Sequence, residues 1–223
     1  MGDSQQCLKC MKHLLIVGAR GWGREVLDAF CGTEEYLKGL IDVKGFLDSN
    51  EYALDGLKGD YPSILCSPED YAIQPDDIFF IAMGDPHWRK HYAEIIENKG
   101  GEFHTIVCRN AYVVSNATIG KGSYVGGWSV VSDNVVLGQH NVIHSFCTLG
   151  HDARLGDCAT MESYSFLGGY AEMGDCSIMH VRSTLIRHKK IGNDVSVGAG
   201  SVVMRNVKDG LHVFGSPAMK IDL

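Results

Sequence analysis

IHSFCTLGHDARLGDCATMESYSFLG, residues 143–168, repeats an aliphatic residue every six positions: Ile143, Leu149, Leu155, Met161 and Leu167. The period extends outward without an insertion. Toward the N-terminus it takes in Leu137, Val131, Val125 and Ile119; toward the C-terminus Met173, Met179, Leu185, Ile191, Val197 and Val203. All 15 positions are Ile, Leu, Val or Met. With about a third of residues in that class, chance agreement is roughly one in ten million.

Two further columns keep the same period. Two residues before the aliphatic stands mostly a small side chain, as at Ala117, Ser123, Ser129, Cys147, Ala159, Ser165 and Ser177. Directly after it stands glycine at 120, 126, 138, 150, 156, 168, 174, 192 and 198. Glycine suits tight corners, where backbone angles are special or chains approach closely. A six-residue period fits neither an α-helix nor simple strand alternation. It fits short extended flats joined by corners, with stacked coils burying a ladder of aliphatics and sharing backbone hydrogen bonds. Ala117 to Met204 is therefore read as a parallel β-helix.

The segment before it alternates strand and helix. His13–Val17 reads as a buried parallel strand, and Gly18-Ala19-Arg20-Gly21-Trp22-Gly23 follows it into a helical stretch, Arg24–Phe30. A second strand ends at Phe46-Leu47-Asp48 and a third, Ile78–Met83, at Gly84-Asp85. Helical sequence at Trp88–Lys99 and a short strand near His104–Val107 complete a small Rossmann-like α/β domain with a parallel sheet. The glycine turn can set backbone N–H groups against a phosphate, and Asp48 can bind a ribose hydroxyl or base edge. Alternatively, the glycines only make a tight turn and Asp48 only caps a loop. The spacing is G-x-x-G-x-G, not the G-x-G-x-x-G of dinucleotide sites.

Composition bounds the function. The chain has 223 residues, 45% of them hydrophobic and 21% charged, with a formal charge of −7. That balance argues against nucleic acid as a partner. No apolar run reaches the length of a membrane span, so no membrane insertion is expected. The first ten residues lack signal-peptide features, and Met11 is a possible alternative start. The 8 cysteines are scattered, which reads as a reduced, cytoplasmic protein. Cys7 and Cys10 form a lone CxxC with no second pair, too little for a metal site. The division expected is an N-terminal extension 1–10, an α/β domain 11–108, a β-helix 109–206 and a tail 207–223.

Taken together, the first strand with GARGWGREVLDAF, then FLD, IAMGD and the hexapeptide run resemble the NeuD/PglD-type sugar acetyltransferases of the hexapeptide-repeat acyltransferase family. The terminal Gly215-Ser216-Pro217-Ala218 resembles that family's GxPA ending, though Met219 stands where Lys or Arg is usual. The resemblance covers almost the whole chain from about Met11. It implies a left-handed β-helix with three flats per coil of 18 residues; fifteen flats would make five coils, roughly 24 Å at about 4.8 Å each. It also implies acetyl-CoA as acyl donor, held between subunits of a homotrimer, with a nucleotide-linked sugar on the α/β domain facing Gly18, Gly21, Gly23, Asp48 and Gly84. No metal is expected.

Acetyl transfer needs a base and an oxyanion donor. His151 is the candidate base, with Asp152 as the carboxylate that fixes its tautomer. Residues 18 apart stack, so Gly168-Gly169 lies over Gly150-His151. By the resemblance, the Gly169 amide would hold the acetyl oxygen. The column Asp133, His151, Gly169, Arg187, Arg205 places two arginines above it, either for coenzyme A phosphates or as solvated surface. A second column, Gly126, His144, Glu162, His180, Gly198, reads as a hydrogen-bonded ladder rather than a metal site. Trp22, His144 and Thr160 depart from the family pattern at positions expected near the active site.

The reading is N-acetylation of a nucleotide-linked amino sugar for surface glycan synthesis. O-acetylation of sialic acid or another sugar hydroxyl is the alternative. A metal-dependent enzyme on the same β-helix and a non-catalytic nucleotide-sugar-binding protein are the other readings.

Overall fold

The computed structural model describes residues 11–221. Its first half is a five-stranded parallel sheet: β1 (Lys12–Val17), β2 (Ile41–Leu47), β3 (Ile64–Cys66), β4 (Asp77–Ile81) and β5 (Glu102–Phe103), in the order β3-β2-β1-β4-β5. The helices are α1 (Gly21–Cys31), the single-turn α2 (Glu34–Leu37) and α3 (Pro86–Asn98). β1 and β4 are apolar on both faces because both are covered. Leu14, Ile16 and Phe80 pack with α1 residues Val26 and Phe30, while Leu15, Val17, Phe79 and Ile81 pack with Tyr92 and Ile96 of α3. Strand order reverses between β1 and β4, which opens a crevice at their carboxyl ends.

The strand expected near His104–Val107 is divided. Glu102–Phe103 closes the α/β sheet, while Ile106–Val107 pairs with Tyr124–Val125 and opens the β-helix. From there three parallel sheets wind around one core, and every pairing in the regular coils joins residues 18 apart, such as Leu149 with Leu167 and Leu167 with Leu185. The result is a left-handed parallel β-helix. The inward aliphatics from Val125 to Val203 are buried. The coils run past the fifteen repeats: Tyr112–Val113 pairs below Val130–Val131, and His212–Val213 continues above Ser196–Val197. Residues 215–218 turn the chain into an antiparallel closing strand, Ala218–Ile221.

The corners differ from expectation in one respect. The repeat glycines do not carry the unusual backbone angles. Those fall two residues later, at non-glycine positions such as Asn134, Asp152, Tyr170 and His188, all with φ between 55° and 60°. Each such residue donates its N–H to the coil below, Asp152 to Asp133 O at 2.9 Å and Tyr170 to His151 O at 3.0 Å. The glycines are there for close approach. A Cβ at Gly168 would lie 2.4 Å from Arg187 N, and one at Gly174 2.4 Å from the Gly192 carbonyl carbon.

The two halves meet along a seam. Trp22 packs on Tyr124 and His144, with ring centroids 5.0 and 4.6 Å apart. The Arg89 side chain of α3 is fully buried there, and its guanidinium donates to His140 O at 2.8 Å, Cys158 O at 2.6 Å and Thr160 Oγ1 at 2.8 Å. Burial pulls the Arg89 pKa down to about 10, so it keeps its proton.

Candidate active site

The β-helix has three edges, each a column of stacked corners, and the outward N–H two residues after each inward aliphatic separates two of them. On one edge these amides are capped by side chains of the next coil. Gln139 N donates to Asp157 Oδ1 at 2.7 Å, Asp157 N to Asp175 Oδ1 at 2.8 Å, and Asp175 N to Asn193 Oδ1 at 2.8 Å. On the edge through His151, Gly169 and Arg187, the corresponding N–H groups donate to no protein acceptor among the described residues. This edge offers donors to a ligand.

His151 and Asp152 occupy one of its corners. Adjacent residues on a strand point to opposite faces. Asp152 instead has φ +60°, and its Oδ2 lies 2.8 Å from His151 Nδ1. Its other oxygen accepts from Asn134 Nδ2 at 2.7 Å. The hydrogen bond with His151, then that from Asn134, holds this carboxyl below the usual carboxylate range. A carboxylate on Nδ1 selects the tautomer with a free lone pair on Nε2. Tyr170 packs edge-on to the imidazole at 5.0 Å and stacks on His188 at 4.8 Å.

Gly169 lies over the imidazole. A Cβ there would lie 2.9 Å from His151 Nε2, and a Cβ at Gly150 would lie 2.6 Å from Gly169 N. Glycine at 169 therefore leaves room beside Nε2, and glycine at 150 leaves the Gly169 amide uncovered. The strand register puts Arg187 and Arg205 in the same column, both exposed to solvent.

The second concavity is a 390 Å³ cavity at the carboxyl ends of β1, β2 and β4, lined by Gly18, Arg20, Asp48, Ser49, Ala82, Met83, Trp88 and Tyr92. That volume suits a small ligand. Gly18 has φ +102°, and a Cβ there would lie 3.0 Å from Ala82 O. Asp48 caps the glycine turn, accepting from Ala19 N at 2.8 Å and Asn50 N at 2.9 Å. Of the five residues singled out for the nucleotide, Gly18 and Asp48 line this cavity. Gly23 is a packing glycine, where a Cβ would overlap Gly18 O; Gly21 borders a separate hollow near Asp60 and Tyr61; Gly84 is exposed beside Met83.

The histidine column is only partly a ladder. His180 Nδ1 lies 3.1 Å from Glu162 Oε1, but His144 turns to Trp22 instead. Burial pulls the His144 pKa down. Trp22, His144 and Thr160 thus line the seam and make no hydrogen bond or ring contact with His151. Arg89 was missed in the sequence, where it reads as a solvated helical charge. Its Nη1 also donates to Met83 O at 2.8 Å, tying the cavity wall to the β-helix. Cys7 and Cys10 lie outside the described residues.

The structure is two-part: an α/β domain with a strand-end cavity, followed by a left-handed β-helix with one open edge. Comparison with known proteins agrees with this fold. Residues 13–96 match the family model of the PglD N-terminal domain. The acetyltransferase domain of PglB from Neisseria gonorrhoeae, in complex with acetyl coenzyme A, superposes with a TM-score of 0.84 at 22% identity, covering 95% of this chain and 100% of that one. PerB from Caulobacter crescentus, in complex with CoA and GDP-perosamine, gives 0.83 at 23% identity, covering 94% and 97%. WeeI from Acinetobacter baumannii gives 0.70 at 22%, covering 95% and 100%. No curated protein matches the sequence. The resemblance read from the sequence is thus met by the family model in the first domain and by the fold throughout.

Proposed function

We propose that this chain is an acetyl-CoA-dependent acetyltransferase that N-acetylates a nucleotide-linked amino sugar, as a step in surface polysaccharide biosynthesis. The observation that carries the proposal is the Asp152–His151 pair facing an uncovered Gly169 amide. Two of the proteins with this fold, the PglB domain and PerB, are described with acetyl coenzyme A, or with CoA and GDP-perosamine.

In the reaction, the amine nitrogen attacks the thioester carbon and His151 Nε2 takes the proton it sheds. The Gly169 N–H stabilises the oxyanion. The carbon–sulfur bond then breaks, and the imidazolium returns its proton to the leaving thiolate. Asp152 steadies the imidazolium without being protonated. Arg187 and Arg205 are assigned to the coenzyme phosphates. Gly18, Asp48 and the neighbouring Gly21, Gly23 and Gly84 are assigned to the nucleotide, the glycines through backbone shape.

The cavity and the His151 edge share no lining residue, so we assign the working form to a homotrimer in which one subunit's β-helix meets another's bound substrate. Supporting this is an exposed row of large side chains on the third edge: Trp128, Phe146 and Tyr164, the last two stacked 4.8 Å apart. Such a row marks a contact surface. The division into an extension 1–10, a nucleotide-sugar domain 11–108, an acyltransferase domain 109–206 and a tail 207–223 belongs to the same proposal. So does a cytoplasmic location, where both substrates are made; no described helix is long and apolar enough to cross a membrane.

The test is thiol release from acetyl-CoA against UDP-, GDP- and dTDP-linked amino sugars and free sialic acid. Turnover on a nucleotide amino sugar supports the proposal. A second reading, O-acetylation, is favoured by the pairing of His151 with Asp152, because a hydroxyl needs a base more than a free amine does. Turnover on sialic acid alone would replace the first reading with this one.

A further inference from the structure

Outside the proposed active site, one group of side chains has the chemistry of a metal site. His87 Nε2, Cys176 Sγ and an Asp194 carboxylate oxygen all lie within 4.8 Å of one another. His87 stands in the first turn of α3; Cys176 and Asp194 stand one coil apart on the β-helix edge that α3 covers. Both have positive φ, +54° and +55°. This corner conformation lines up their side chains one coil apart. Cys176 also borders a 260 Å³ groove between α3 and the β-helix, with Lys90, Glu94, His140 and Cys158.

We propose that His87, Cys176 and Asp194 bind a zinc ion, with water in the fourth position, and that the ion clips α3 to the β-helix. The donor set of one imidazole, one thiolate and one carboxylate is that of tetrahedral zinc. Bond lengths near 2.05 Å to nitrogen and oxygen require about 3.3 Å between those two ligands. His87 Nε2 and Asp194 Oδ1 are 3.4 Å apart. The imidazole and carboxylate, both on exposed side chains, need to come to about 3.6 Å from the buried sulfur, a movement of at most roughly 1 Å from within 4.8 Å.

The placement gives the ion a role. α3 carries Trp88 and Tyr92 into the strand-end cavity. Arg89, two residues after His87, fixes the same helix to His140 and Cys158 from inside. Zinc would secure the outer side of the turn that Arg89 secures from within.

The test is a titration of the chelator-treated full chain with Co²⁺ alone, in a Cys7→Ser/Cys10→Ser background so that the CxxC pair supplies no thiolate. The expected result is one equivalent bound with a thiolate-to-cobalt charge-transfer absorption, displaced by Zn²⁺. Cys176→Ser abolishes the absorption. Outer partners of metal ligands alone are worth 10–100-fold in affinity, so Asp194→Asn weakens binding by about tenfold or more. Zn²⁺ raises the Tm of the parent and leaves that of Cys176→Ser unchanged. No charge-transfer absorption in the parent, or the same absorption in Cys176→Ser, overturns the proposal.

Discussion

On the edge through Gln139, Asp157, Asp175 and Asn193, each outward amide is capped by a carboxylate or amide oxygen from the coil above; on the edge through His151, Gly169 and Arg187, the same amides are bare. The backbone is the same at both. Residue type alone decides which edge is closed by protein and which stays open to a ligand. Short side-chain acceptors close the first, where α3 docks. On the second, Gly169 and Arg187 stand where those acceptors would be and leave the amides uncovered, with an imidazole beside them. A repeat fold thus separates structural work from chemistry by edge, not by domain.

Arg89 gives the largest expected effect on the closed edge. Arg89→Met leaves the carbonyls of His140 and Cys158 without their donor in the seam. It should cost about 3–5 kcal/mol of stability in denaturant unfolding. A loss below about 1 kcal/mol would mean that this edge does not hold the two domains together.

His140, also on the closed edge, provides a pH test. It is buried with neither ring nitrogen partnered, and burial pulls its pKa from 6.5 to about 4. Because the folded pKa is below the unfolded one, the unfolded chain binds the proton first on acidification. The His140 contribution is therefore present above pH 6.5 and lost as pH falls toward 4, about 3 kcal/mol in all. His140→Asn, which tolerates the positive φ of this corner, should flatten that slope in urea unfolding at several pH values. An unchanged slope would assign the acid sensitivity elsewhere.

Gly169→Ala tests the open edge. The new Cβ would stand 2.9 Å from His151 Nε2 and must displace the imidazole. Misplacing a catalytic group by about 1 Å costs on the order of a hundredfold in kcat. The expected signature is slow turnover with a nearly unchanged Tm; full activity would remove Gly169 from the site. Smallest of all, Asp157→Ala uncaps Gln139 N and should cost about 1 kcal/mol while leaving kcat untouched. A drop in kcat there would break the separation between the edges.

The repeat made the β-helix legible in advance, because aliphatics and glycines mark buried and crowded positions directly; the 18-residue coil, and with it the His151–Gly169 stacking, came from the family resemblance. The positive-φ column was not legible. It is filled by Trp128, Asn134, His140, Asp152 and Tyr170, with no shared chemistry, because the bond to the coil below, not the side chain, imposes the angle. Arg89 was hidden for a related reason: a helical arginine reads as surface unless the carbonyls that will surround it are known. Trp22 and His144 are far apart in sequence and meet only once the domains are docked.

The most direct measurement is the rate of thiol release from acetyl-CoA, with one nucleotide-linked amino sugar as acceptor, for the native chain and His151→Ala at matched Tm. Loss of a general base predicts a fall in kcat of about 10²–10⁴-fold, with the acceptor KM little changed. Equal kcat in the two proteins would contradict the assignment of the open edge as the site of acetyl transfer.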